Sequence, residues 1–313
     1  MVQRTLDRDA VIYVAGHGGL VGSAIWRALE AKGFRNLVGW RSSELDLRDS
    51  QATANAVRDA APDVVIVAAA RVGGILANST APVDFLNDNL RIQTSIFEAA
   101  HAADVDRLLF LGSSCIYPKY AAQPISESSL LTGELEPTNE AYAIAKIAGI
   151  IAIQSYRRQY GRHWISAMPT NLYGPGDNFD LTSSHVLPAM IRKFDDAREN
   201  GSTVSLWGTG SPRREFLHVD DLASAVLFLL DHYDADDTVN VGTGEDITIR
   251  ELAETVAGVV GYEGDTQWDA DKPDGTPRKL LDVSRLRGLG WEPNIALRPG
   301  IEATYAWYRE HVK

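Results

Sequence analysis

In the stretch YAIAK, Tyr142 and Lys146 stand four residues apart. On a helix that spacing puts both side chains on one face. A phenol titrates near 10 and is a poor acid or base at neutrality. A nearby ammonium favours the phenolate and should bring that value down. Ser113 closes the apolar run RLLFLGSS, which reads as a buried strand. A hydroxyl at such a strand end can hydrogen-bond the same carbonyl oxygen that a phenol protonates. Two residues further on lies Cys115, the single cysteine of the chain. By itself a cysteine is most often a small buried hydrophobe. If residues 113–115 stay extended, period-two alternation puts the thiol on the Ser113 side.

These side chains need a frame. AVIYVAG (10–16), NLVGWR (36–41), DVVIVAAA (63–70), RLLFLGSS (107–114) and ISAMPTNLYGP (165–175) read as strands. Helical spacing covers 22–34, 50–62, 82–103 and about 139–160 between them. The alternation predicts an α/β fold, a doubly wound parallel sheet of Rossmann type. After Gly176 the pattern loosens. Helices are expected near 184–199, at 219–232 and at 248–261, with strands at TVSLWG and DTVNVG. The tail at 262–300 is rich in Pro, Gly, Asp and Trp. The expected division is a dinucleotide-binding domain over 1–177, to which 216–243 returns, and a smaller α+β substrate lobe over 178–313.

GHGGLVG sets Gly16, Gly19 and Gly22 between the first strand and the first helix. The first glycine permits a tight turn, the second a close approach to a pyrophosphate, the third close packing of helix on strand. Leu20 and Val21 lie at the helix opening, where backbone amides attract phosphate. Many NAD binders carry an acid at the end of the second strand; here Arg41 stands, which favours the extra phosphate of NADP. Asp46 and Leu47 are placed to flank the adenine, or form a simple turn before the next helix. Ala69, Asn171, Leu172 and His185 complete the expected cofactor site, with Lys146 on the nicotinamide ribose and Tyr142 beside the ring, whose oxidised form joins the ammonium in favouring the phenolate.

The formal charge is −12. Such a chain repels nucleic acid and anionic membrane, so neither is expected as a partner. One cysteine forms no internal disulfide and fits a reducing cytoplasm. The N-terminal segment MVQRTLDRDAVIYVAG has no apolar leader pattern, and no apolar run is long enough to span a bilayer. His218 in HVDDL lacks the companions of a metal site, so a structural role is expected and no metal.

The motifs GSSCIYP, PTNEAYAIAKIAG, PTNLYGPGDNFD, SSHVLPA, REFLHVDD and DGTPRKLLD resemble the GDP-L-fucose synthase family of extended short-chain dehydrogenase/reductases. The resemblance runs over nearly the whole chain. It implies NADPH-dependent conversion of GDP-4-keto-6-deoxy-D-mannose by 3,5-epimerisation and 4-keto reduction. It further implies that Ser113, Tyr142 and Lys146 form a catalytic triad, and that Cys115 and His185 are the acid/base pair for epimerisation. Asn171, Lys193, Trp207, Arg214 and Lys279 fall on or near positions lining the GDP-sugar site. Arg192 precedes Lys193, and either could face a phosphate. Trp207 reads equally as core or as a sugar platform, and Arg213 and Arg214 could also face solvent. The family's homodimer implies contact through the helices at 82–103 and 139–160. Related sequences commonly carry arginine at position 18; here Gly18 leaves Arg41 as the main visible phosphate partner and leaves the choice between NADPH and NADH open.

A 4-ketone acidifies the hydrogens on carbons 3 and 5. Inverting either centre takes a base on one face and an acid on the other. A thiol and an imidazole can fill these roles if their surroundings tune them. His185 follows TSS, which reads as a helix N-cap, so it is expected in the first turn, where the helix dipole opposes its protonation. Two other readings use the same frame: a nucleotide-sugar epimerase or dehydratase with tightly bound NAD, and a non-catalytic dinucleotide-binding regulator.

Overall fold

Short apolar runs, buried on both faces except at a sheet edge, are the habit of a parallel sheet. In the computed structural model, which describes residues 5–272 and 274–313, six such runs pair in parallel in the order β2-β1-β3-β4-β5-β10. Residues 1–4, the start of the segment read for a leader, and Pro273 lie outside the described residues. The six strands are β1 (Ile12–Ala15), β2 (Leu37–Val38), β3 (Val64–Val67), β4 (Arg107–Leu111), β5 (His163–Pro169) and β10 (Val239–Val241). The register sets Ile12 beside Val64 and Val67 beside Phe110. From β2 the chain crosses back over β1 to β3. That reversal opens a crevice at the carboxyl ends of β1 and β3, where doubly wound sheets bind ligands.

Helices cover both faces. On one side α1 (Leu20–Ala31) packs with α7 (Val219–His232), burying Ile25, Leu29, Val226 and Leu230. On the other lie α2 (Ser50–Ala60), α4 (Pro82–Ala102) and α5 (Glu140–Tyr160), around Val57, Ile96, Phe97, Ile150 and Trp164. A third core, with Leu187, Phe194, Leu206, Val256, Ile301 and Tyr308, joins α6 (Val186–Asn200), α8 (Ile249–Val260) and α10 (Leu297–His311). Over it lie short strands. β7 (Val204–Trp207) pairs with β12 (Thr266–Asp269), and β8 (Arg213–Arg214) lies between β11 (Ile247–Thr248) and β13 (Arg278–Lys279).

Several expectations needed correction. The strand foreseen at 165–175 breaks at Thr170; its second part, β6 (Asn171–Tyr173), leaves the main sheet to pair with β9 (Phe216–His218). The tail read as irregular contains β12, β13 and α9 (Ser284–Leu289), and α10 follows it. The inner face of α10 carries Gly300, Ile301, Thr304 and Tyr308, so half of its buried positions are small or polar and the apolar period is faint. A six-residue helix, α3 (Ile75–Thr80), also went unforeseen; it is too short for a period to register.

Candidate active site

The glycine-rich turn is shaped for a phosphate. Gly16 has φ +86°, and a Cβ there would come within 2.7 Å of the Ala69 amide nitrogen at the end of β3. A Cβ on Gly22 would collide with the Gly16 carbonyl. Gly19 caps α1 without any side chain over the helix end, and the first turn has no acid. The amides of Leu20, Val21 and Gly22 are therefore free to face an anion. These features fit a dinucleotide pyrophosphate. Position 18 borders open space, and a Cβ there would meet nothing within 4 Å.

Just beyond β2, Arg41 is exposed, and among the described residues its guanidinium has no partner. Asp46 is clamped by Arg48 at 2.8 Å, which holds its carboxyl down at about 2. Its carboxylate is thus salt-bridged in the turn before α2, and Leu47 packs half-buried on the sheet. Leu172 lies on β6 against the α1–α7 core, and Asn171 beside it donates to the Glu215 carbonyl at 2.8 Å.

Several of the candidate groups converge at the end of β4. Ser113 is extended, but Ser114–Ile116 form a 3-10 turn, so the expected strand alternation does not reach Cys115. The turn itself folds the cysteine back, and its amide donates to the Ser113 hydroxyl at 3.3 Å. The Asn139 amide, at the head of α5, does not cap the helix; it donates to the Cys115 sulfur at 3.4 Å. The Lys279 ammonium reaches the same sulfur from β13, also at 3.4 Å. Burial pushes the thiol up. Lys279, the Ser113 hydroxyl and more distant Arg214 outweigh it, and the thiol pKa falls below its ordinary value.

Tyr142 lies beside Ser113 and Cys115. One turn on, Lys146 is buried, donates to the Leu111 carbonyl at 2.8 Å, and sits 5.9 Å from the centre of the Tyr142 ring. Burial drops the lysine to about 7. The expected lowering, which calls on an oxidised nicotinamide as well as the ammonium, does not come from Lys146 alone. Burial first, and then the neighbouring thiolate, raise Tyr142 above its ordinary value. It therefore holds its proton firmly, which fits a donor to a carbonyl oxygen.

His185 is itself the N-cap of α6, not a first-turn residue, and its side chain caps nothing. The residue is exposed overall, yet burial of its ring, followed by the Lys279 charge, lowers its pKa. The loop bearing it docks on the segment after β3, where the Gly74 amide donates to the Ser183 carbonyl at 3.2 Å.

Around this centre, β13 sets Lys279 beside Arg214, which is half-buried and near Cys115. Arg213 instead pairs with Asp246 at 2.9 Å. Trp207 is 51% exposed, which removes the core reading. Lys193 donates to Ser205 in the same strand at 2.9 Å, whereas Arg192 turns to Asp196. Among the described residues, no hydrogen bond joins this Trp207–Lys193 pair to the Cys115 cluster. His218 caps α7, accepting from the Asp220 amide at 3.2 Å. No group of potential metal ligands occurs among the described residues. Sequence reasoning passed over Asn139, whose only signal is its place three residues before Tyr142.

The model of the NAD dependent epimerase/dehydratase family matches residues 12–242. GDP-L-fucose synthase 1 of Arabidopsis thaliana is 58% identical over 98% of this chain and 95% of its own length. The chain belongs to the GDP-L-fucose synthase family. The family's member from Escherichia coli (strain K12) is 55% identical, over 96% of this chain and 97% of its own. A solved GDP-L-fucose synthetase from Naegleria fowleri, bound to NADP, superposes with a TM-score of 0.92 at 29% identity, covering 99% of this chain and 96% of that one.

Proposed function

We propose that the protein converts GDP-4-keto-6-deoxy-D-mannose to GDP-L-fucose, inverting carbons 3 and 5 and then reducing carbon 4. The observation that carries this reading is the Cys115 thiol, held by Lys279 and Asn139 beside Ser113 and Tyr142, with His185 under the same lysine's field. Ser113 and Tyr142 hold the ketone oxygen. The Cys115 thiolate takes a proton from the adjacent carbon, and the charge that develops on oxygen is met by the two hydroxyls. His185 returns a proton to the other face. Lys279 suits this division because its charge favours thiolate over thiol and makes imidazolium a stronger acid.

NADPH, when bound at the glycine turn, supplies the hydride for carbon 4. Tyr142 gives the oxygen its proton, and Lys146 is positioned to steady the phenolate left behind. Arg41 is the candidate partner for the extra phosphate. Arg214, Lys193 and Trp207 are the candidates for the GDP moiety, with residues 178–313 forming most of that lobe. The outer faces of α4 and α5 expose Val83, Ile144, Ile151 and Tyr160, which supports a homodimer through these helices. A single activated thiol suits a reducing cytoplasm, and no helix among the described residues is long and apolar enough to cross a membrane. A cycle that regenerates NAD, or a non-catalytic binder, leaves the Cys115–His185 arrangement without a task.

The test is nicotinamide absorbance with the purified protein and GDP-4-keto-6-deoxy-D-mannose. Stoichiometric loss of NADPH, with GDP-L-fucose as product, is expected. Folded protein that consumes none refutes the assignment.

A further inference from the structure

One thiol and one imidazole must serve two centres. The first inversion leaves the thiol protonated and the imidazole neutral, the reverse of what the second requires. The histidine has the easier return, because the residue is exposed. The thiol does not, since it is only partly accessible and its sulfur is held by Asn139 and Lys279. A cavity of about 20 Å³ touches Cys115 and is walled by Asn139, Glu136, Thr276, Lys119 and Lys279. That volume suits a single water and is far too small for a sugar. The Asn139 carbonyl oxygen is buried and accepts no hydrogen bond from the described residues. Across the cavity Glu136 is ion-paired with Lys119 at 3.0 Å and accepts from the Thr276 hydroxyl at 3.4 Å. Side-chain exposures of 14% for Glu136 and 26% for Lys119 bring this pair to bulk water.

Building on the proposed epimerisation, we propose that Glu136 is the terminus of a one-water relay that strips the Cys115 proton between the two inversions. The S–H bond breaks with its electron pair left on sulfur. The proton goes to the cavity water as that water gives another to a Glu136 oxygen, and the carboxylic acid then releases it to solvent. Lys119 keeps Glu136 ionised and ready to accept. Glu136 faces Cys115 across this cavity, so its role is to act through the thiol's protonation state.

The test is Glu136→Gln in single turnover, stopped by borohydride and analysed for each carbon. The first inversion should run at the parent rate, and the second should slow by about tenfold or more. NADPH oxidation on the already epimerised ketone should be unchanged. Raising the concentration of a small base such as imidazole should restore the second step, and Glu136→Asp should restore part of it. Equal rates for both inversions in Glu136→Gln refute the relay. A deficit in both steps that no buffer relieves also refutes it and makes Glu136 a structural residue. If the parent protein exchanges no hydrogen at carbons 3 and 5, the proposed function itself falls, which is a separate result.

Discussion

Replacing Lys279 by methionine removes an ammonium 3.4 Å from the only thiol in the chain. Two unit charges about 4 Å apart interact by about 4 kcal/mol at an effective dielectric near 20, and by about 1 kcal/mol in bulk water. Cys115 is neither fully buried nor exposed, so the loss lies between these limits. At about 1.4 kcal/mol per pKa unit, the thiol should rise by roughly one to three units. Arg214 remains nearby and keeps the rise from growing larger. The assay is alkylation by iodoacetamide across a pH series, which reports one site because no other cysteine exists. In the parent the midpoint should fall below the ordinary thiol value of 9.0. In Lys279→Met it should move up, and alkylation at pH 7 should slow by about tenfold for every pH unit that the midpoint climbs. Circular dichroism would establish that the variant is folded. An unmoved midpoint in a folded variant refutes the claim that Lys279 makes the thiolate.

Gly18→Arg fills open space, so its melting temperature should stay at the parent value. Its affinity for NADPH should rise by about tenfold relative to NADH, the worth of one charge-assisted hydrogen bond, as calorimetry can show. Lys146→Met should stabilise the free protein by a few kcal/mol below pH 7, judged by urea unfolding. Burial depresses the lysine from 10.5 to about 7. The unfolded chain therefore binds the extra proton between these values, parent stability climbs with pH, and the gap should close toward pH 10.5. A gap that widens with pH contradicts that sign. A Cβ on Gly74 would meet the Ser184 carbonyl at 2.8 Å, so Gly74→Ala should push away the loop bearing His185. Its epimerisation should fall by about tenfold, with reduction of the epimerised ketone within twofold of the parent. Equal losses in both activities would show that the loop does more than place His185.

Much of this site was written in local spacing. Helix periodicity put Tyr142 and Lys146 on one face, and the glycines marked the turn at the carboxyl end of β1. Local rules failed where distant strands decide geometry. Lys279 reaches Cys115 only because β13 pairs with β8, and neither two-residue strand has a periodic signature. Alternation also gave the wrong reason for the right neighbourhood. Cys115 is near Ser113 through a 3-10 turn, which needs Asn139 and Lys279 around it to hold its sulfur. The upward push of burial on Tyr142 has the same origin, since burial is a sum over the whole fold and no motif carries it. The tail was opaque because β12 borrows its partner from β7, across more than fifty residues.

One cleft is thus proposed to perform two separable chemistries, proton exchange at Cys115 and His185 and reduction at Ser113, Tyr142 and Lys146. Giving Cys115→Ser the keto-sugar and NADPH in D2O, and reading the product by NMR, separates them in a single experiment. Continued NADPH oxidation is expected, with little deuterium at carbons 3 and 5 and a product that keeps their original configuration. GDP-L-fucose formed at the parent rate, with deuterium at both carbons, would contradict the division.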